Sequence, residues 1–241
     1  MIQYSIYTNK GNVRLDNEDS YLVIDTPHPL YMVADGMGGH RAGDIASKMA
    51  VNYIEDYQFN YENLPTDINR VINKANKVIY EQGKDKKEYQ GMGTTLSMGI
   101  IYNNYLYIGH VGDSRIYLFR DGDLKQLTTD HSLVNELIQN NEITSQEAFN
   151  HPQKNIITQA LGSDEELKVE TKKFGLKPGD RLLFCTDGLH DMLRNNEIKD
   201  ILLSESNTNK VASLLGNTAM DNGGNDNITL IIVDYNVGVK L

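Results

Sequence analysis

Two stretches of the chain rhyme, 30-LYMVADGMGGH-40 and 181-RLLFCTDGLHD-191. Each is an apolar run that stops at Asp-Gly. A carboxylate at the end of a buried strand is costly unless something compensates its charge. Asp-Gly is also a common turn pair, and Asp121-Gly122 is read as one. Joint placement sets the other acids apart: Asp35, Asp113 and Asp187 follow apolar runs, Asp226 precedes one, and Glu18, Asp19 and Asp191 lie near such ends. In antiparallel sheets the end of one strand lies beside the start of its neighbour, so these carboxylates can meet at one rim. Gathered without a counter-ion they would repel, and Arg14 and Arg115 are too few to neutralise them. Oxygen-only ligands suit hard divalent cations, Mg²⁺ or Mn²⁺. Histidine and thiolate ligands are not clustered, which argues against zinc. Gly36, Gly38 and Gly39 would let the backbone, and a carbonyl such as that of Gly36, approach an ion closely. Arg14 either forms an ion pair with the nearby acids or offers its planar fork to a phosphate.

The elements that must position these acids are short. Apolar runs at 2–8, 21–25, 30–34, 95–102, 105–111, 116–120, 124–128, 169–174, 181–186 and 228–235 read as strands. Asn103-Asn104 and Asp121-Gly122 join neighbours as tight hairpins, so antiparallel pairing dominates. Helical spacing appears over 43–57 and 67–83, and again over 195–203 and 208–222, with a shorter helix over 132–139. Strands, two helices, many strands, two helices and a strand imply an α+β class with segregated layers. Two antiparallel sheets face to face, each flanked by a helix pair, satisfy that order.

Composition narrows the function. The 241 residues contain no Gly/Ser/Pro-rich linker and no repeat, which favours a single domain over 1–241. A formal net charge of -10 disfavours nucleic acid or an anionic membrane as general partners. An acidic protein acting on an anionic substrate would need bound cations to reverse the local field. One cysteine, Cys185, excludes an internal disulfide and fits a reducing compartment. The N-terminus lacks signal-peptide character and no apolar run is long enough to span a bilayer. The expectation is a cytoplasmic, monomeric protein with no membrane insertion.

Taken in order, 14-RLDNED-19, 33-VADGMGGH-40, 91-GMGTT-95, 110-HVGDSR-115, 129-TDHS-132, 151-HPQKNIITQALG-162, 186-TDGLHD-191 and 226-DNITLIIV-233 resemble the PPM-type (type 2C) metal-dependent Ser/Thr protein phosphatases in their bacterial branch. The resemblance covers nearly the whole chain and implies a four-layer αββα sandwich. It implies that Asp35 bridges two metal ions, Mn²⁺ or Mg²⁺, with the Gly36 carbonyl on one and Asp187 and Asp226 on the other. Glu18 would act mostly through water, Asp19 would support that shell, and Arg14 would bind the substrate phosphate. Asp113 and Asp191, with Asp187, resemble the ligands of a third metal site. The segment 131–155 resembles the family's variable flap. Animal-type members carry a histidine directly after the first Asp-Gly; here that position is Met37, and His40 stands in the bacterial place for a general acid.

Two cations sharing one water would lower its pKa toward neutrality, and the nucleophile would attack phosphorus in line with no covalent intermediate. A cysteine phosphatase would need arginine where Asp191 stands, six residues after Cys185. The rivals are a catalytically dead scaffold, which would have lost metal acids, and a two-metal nuclease, which would want a basic groove. Phosphoproteins are the expected partners, a cognate Ser/Thr kinase among them.

Overall fold

A computed structural model of the chain describes residues 2–38 and 42–236. One sheet takes β1 (Ile2–Asn9), β8 (Arg115–Arg120), β9 (Asp123–Gln126), β11 (Asp180–Cys185) and β12 (Ile228–Tyr235), in the order β1-β12-β11-β8-β9. The other takes β2 (Ser20–Ile24), β3 (Leu30–Ala34), β6 (Leu96–Tyr102), β7 (Tyr105–Val111) and β10 (Glu170–Gly175), in the order β10-β7-β6-β3-β2. Two-residue strands β4 (Gly36–Met37) and β5 (Gly93–Thr94) pair separately. All these pairings are antiparallel. The helices are α1 (Ala42–Glu55), α2 (Leu64–Asp85), α3 (Leu133–Gln139), α4 (Ser145–Phe149), α5 (Asp187–His190), α6 (Asn195–Ser204) and α7 (Thr208–Asp221).

Strand alternation builds the layers. On β3, Tyr31 and Val33 face the opposite sheet while Met32 and Ala34 face α1 and α2. On β11, Leu182 and Phe184 point between the sheets, and Leu183 and Cys185 point toward α6 and α7. Both faces of these strands are covered, which is why they read as unbroken apolar runs. Ala46, Ala50, Ile68 and Ile72 pack on one sheet, Ile198, Leu202, Val211 and Leu215 on the other, and Ile108, Ile116, Ile231 and Val233 fill the middle. The result is the expected αββα sandwich.

The hairpin turns lie where expected: Asn103 and Asn104 at φ 51° and 61°, Asp121 and Gly122 at 53° and 80°. Both pairs have the positive φ at each central residue that a type I′ turn needs. Three features differ from the sequence reading. The second helix starts earlier, at Leu64, with Pro65 in its first turn, where a missing N–H costs nothing. Asp187 starts a short helix that was not expected after its apolar run, and the polar segment after α3 contains a second helix, α4, started by a Thr144/Glu147 capping box. Among the described residues, no helix is long and apolar enough to cross a membrane.

Candidate active site

Register brings the acids to one rim. Ser20 lies opposite Ala34, Leu96 opposite Val111, and Cys185 opposite both Leu230 and Arg115. The ends of β3, β7 and β11 and the starts of β2 and β12 therefore adjoin, carrying Asp35, Asp113, Asp187, Asp19 and Asp226 just beyond them. Asp19 and Asp113 are buried. Burial raises the pKa of Asp35, Asp113, Asp187 and Asp19 above the ordinary carboxylate range, and their mutual repulsion raises it further. Glu18 is also raised, by burial first and against the pull of Arg14.

Loop anchors hold this rim. Thr186 Oγ donates to Asp19 Oδ2 at 2.9 Å. Asn227 Oδ1 accepts from the Glu18 amide at 2.8 Å, while its Nδ2 donates to the Lys10 and Asp16 carbonyls at 2.9 and 3.0 Å. That one side chain fixes the loop presenting Arg14 and Glu18. Ser47 of α1 donates to the Glu18 carbonyl at 2.6 Å. Gly36 and Gly43 pack backbone to backbone, and a Cβ on Gly43 would sit 2.8 Å from Glu18 Oε2. Sequence reasoning missed Asn227, Thr186 and Ser47 as positioning groups. Asn227 and Thr186 lie next to acids already singled out, which is the signal that was available; Ser47 had none.

The structure also shows where the predicted residues do not converge. Among the described residues, no three His, Cys, Asp or Glu side chains stand close enough to hold an ion as they are placed. Two of the acids are drawn onto cations. Asp226 takes Arg14 at 2.6 Å, and Asp191 takes Lys154, from the segment after α4, at 2.7 Å. Arg115 does not pair with Asp113; it makes a bidentate pair with Asp130 instead. His40 lies outside the described residues.

The remaining acids pass a chemical test for cation binding. Three buried side-chain polar atoms among the described residues lack a hydrogen-bond partner, and two are Asp19 Oδ1 and Asp187 Oδ1. Buried polar atoms are normally satisfied, so two orphaned carboxylate oxygens beside further buried carboxyls fit a divalent cation. A cavity of about 470 Å³ opens on the Asp187 side of the rim, lined by Asp113, Asp187 and Asp191 and by Val134, Ile138 and Phe149 of α3 and α4; Arg14, Asp19, Asp35 and Asp226 do not line it.

A two-sheet sandwich with acids at one rim is the architecture of a metal-dependent phosphatase, and comparison with known proteins agrees. The family model described as protein phosphatase 2C matches residues 11–222. The serine/threonine phosphatase stp of Listeria welshimeri is 40% identical over 241 residues, covering 97% of this chain and 96% of its own. The crystal structure of the Mycobacterium tuberculosis serine/threonine phosphatase PstP/Ppp superposes with a TM-score of 0.90 at 34% identity, covering 97% of this chain and 98% of that one. The PstP catalytic domain solved with two manganese ions gives a TM-score of 0.86 at 32% identity, with 97% of each chain covered. The chain belongs to the protein phosphatase 2C family, whose members are metal-dependent.

Proposed function

We propose that the chain is a bacterial serine/threonine protein phosphatase hydrolysing phosphoserine and phosphothreonine, with residues 1–241 as one catalytic domain and 131–155 as its flap. The observation that carries the site is the pair of orphaned oxygens on Asp19 and Asp187 within a set of buried, mutually repelling carboxyls. Asp35 and the Gly36 carbonyl, with Asp187 and Asp226, hold two divalent ions; Asp113 and Asp191, with Asp187, hold a third. Manganese or magnesium bound there supplies the positive charge that acidifies the hydrolytic water and offsets charge on the phosphoryl oxygens. The manganese-bound PstP relative supports that choice of ion.

The chain's own groups do the positioning. Arg14 is half exposed and bonded to Asp226. Were Asp226 to ligate a cation instead, the guanidinium would have its planar fork free for two phosphate oxygens. Glu18 and Asp19 accept hydrogen bonds from water on the nucleophile's side, and Thr186 keeps Asp19 in place. His40 follows the glycine loop and is the candidate proton donor to the leaving oxygen. The hydrolytic step needs no covalent enzyme intermediate. Cys185 is buried in the core, and burial pushes its thiol up to about 12, far from a reactive thiolate.

The substrates are phosphorylated proteins, a partner Ser/Thr kinase among them, and the chain works as a monomer in the cytoplasm. The test is hydrolysis of p-nitrophenyl phosphate and a phosphothreonine peptide with Mn²⁺, before and after EDTA. Activity should vanish with the chelator and return with the metal. Hydrolysis that survives EDTA, or that persists in Asp35→Asn, overturns the assignment.

A further inference from the structure

The stretch 91-GMGTT-95 carries no acid, yet its two threonines meet the backbone of the proposed bridging residue from both sides. The Asp35 amide donates to Thr95 Oγ1 at 2.9 Å. The Asp35 carbonyl accepts twice, from Thr94 Oγ1 and from the Thr95 amide, both at 2.9 Å. The pairing of Gly36 with Thr94 continues the grip by one residue. Both threonines are buried, at 0% and 1% exposure, so bulk water does not compete for these bonds. Each polar backbone atom of Asp35 is therefore satisfied by this pair.

Thr95 also reaches a second acid. Its Oγ1 lies 2.6 Å from Ser114 Oγ, directly after Asp113. On the other side of Asp113, Gly112 has φ +105°, and a Cβ there would come within 2.6 Å of Thr95 Cβ. The Asp113 loop is thus packed against the threonine that holds Asp35. Ser97 extends the bracing by donating to the Ser114 carbonyl at 2.8 Å. The Thr94 backbone exchanges both of its hydrogen bonds with Leu161, tying in the segment that returns from α4.

We infer that Thr95 is a positioning residue which, with Thr94, sets the spacing between the Asp35 and Asp113 loops and so tunes divalent-cation affinity. The inference rests on the metal-site reading above. The hydroxyl contacts no substrate; it acts through the placement of two carboxylates. A buried hydroxyl serving a single amide would matter only to stability. One that fixes the relative position of two ligand loops changes how well they close on an ion.

Thr95→Ala and Thr95→Ser separate these roles, because both lose the methyl group and only the first loses the hydroxyl. Mn²⁺ binding is measured by isothermal titration calorimetry on metal-free protein, beside thermal melting without metal. The Mn²⁺ dissociation constant should rise about tenfold in Thr95→Ala relative to Thr95→Ser, while Thr95→Ser stays within about twofold of the parent. Ser114→Ala, which leaves the Asp35 amide bonded, should weaken binding about threefold and covers the case in which Thr95→Ala does not fold. Equal Mn²⁺ affinity in Thr95→Ala and Thr95→Ser overturns the inference, as does unchanged affinity in Ser114→Ala where Thr95→Ala is unfolded. Asp35→Asn distinguishes the two layers of argument. If it too binds Mn²⁺ like the parent, the metal-site reading has failed; if it is weakened while the Thr95 pair is equal, only the positioning role has.

Discussion

Buried charge occurs in two forms in this molecule. Across the β1-containing sheet it is matched. Arg181 on β11 stands opposite Asp234 on β12 and forks onto it at 2.6 and 2.9 Å, with its remaining donors on the carbonyls of Leu202, Glu205 and Ser206. Arg120 grips the buried Asp180 at 2.7 and 2.6 Å, and Arg115 grips Asp130. At the rim it is unmatched: Asp19, Asp35, Asp113 and Asp187 crowd together, and repulsion adds to burial in raising their pKa. A matched pair becomes costly only when one partner is removed and the other is left buried alone, whereas unmatched charge of one sign marks a candidate place for something else to bind.

Neutralising one acid at the rim should have the largest effect. Asp35→Asn should lower Mn²⁺-dependent turnover by about 10⁴-fold, some 5 kcal/mol of barrier. The metal-free protein should hold or gain stability, because one member of a repelling set is gone. Steady-state kinetics beside urea unfolding reads both. A large loss of stability with activity retained would make the rim structural.

The opposite pattern is expected at the matched site. Arg181→Met leaves Asp234 and three carbonyls without their donor, and should cost about 3–5 kcal/mol of stability. Turnover per folded molecule should stay within about twofold. A shift in the urea midpoint at constant slope is the signature. Activity that falls with stability unchanged would place Arg181 in the machinery instead.

Metal addition should sharpen the contrast at a smaller scale. At a hundredfold excess over its dissociation constant, Mn²⁺ should stabilise the parent by about 2.7 kcal/mol, read as a melting shift reversed by EDTA. Arg181→Met should retain that increment and Asp35→Asn should lose most of it. Equal shifts in all three proteins would locate the ion elsewhere.

The two forms of charge were not equally legible in the sequence. The rim acids stood out because strands covered on both faces show as unbroken apolar runs, and a carboxylate at the end of one is conspicuous. The layer order followed from the same runs and from the helical spacing of Ile68, Ile72 and their neighbours. The matched pairs were hidden, since Asp180-Arg181 looks like an ordinary strand start until register puts Asp234 opposite. For the same reason the partner of Arg115 was hidden: Asp113 is near in sequence, whereas the fold gives it Asp130. The short helix that Asp187 opens was not legible, because four residues are too few to show helical spacing. The partners of Asp226 and Asp191 depend on contacts far apart in sequence, which no local pattern carries.

The smallest effect tests a buried group that is neither matched nor part of the rim. His110 is fully buried: Nε2 donates to the Thr129 carbonyl at 3.1 Å, and Nδ1 lies 2.8 Å from Ser97 Oγ, whose one proton it shares with the Ser114 carbonyl. Burial, and then the neighbouring His131, holds its pKa below the ordinary value, against the weaker pull of Glu170 and Asp130. In the unfolded chain it titrates near 6.5. As pH falls below that value the unfolded chain takes up the proton first, so the imidazole's contribution to stability is complete above about 6.5 and is lost toward the lower, folded pKa. The loss is at most about 1.4 kcal/mol per pH unit. The rim carboxyls, whose pKa is raised, titrate in the opposite sense and are common to parent and variant. The difference between the parent and His110→Gln therefore isolates the ring: between pH 7.5 and 5.5, the variant's urea stability should fall less steeply with acid. A variant that falls more steeply would mean that the folded protein keeps His110 as an imidazolium, donating from both nitrogens to Ser97 and Thr129, with Glu170 and Asp130 outweighing burial.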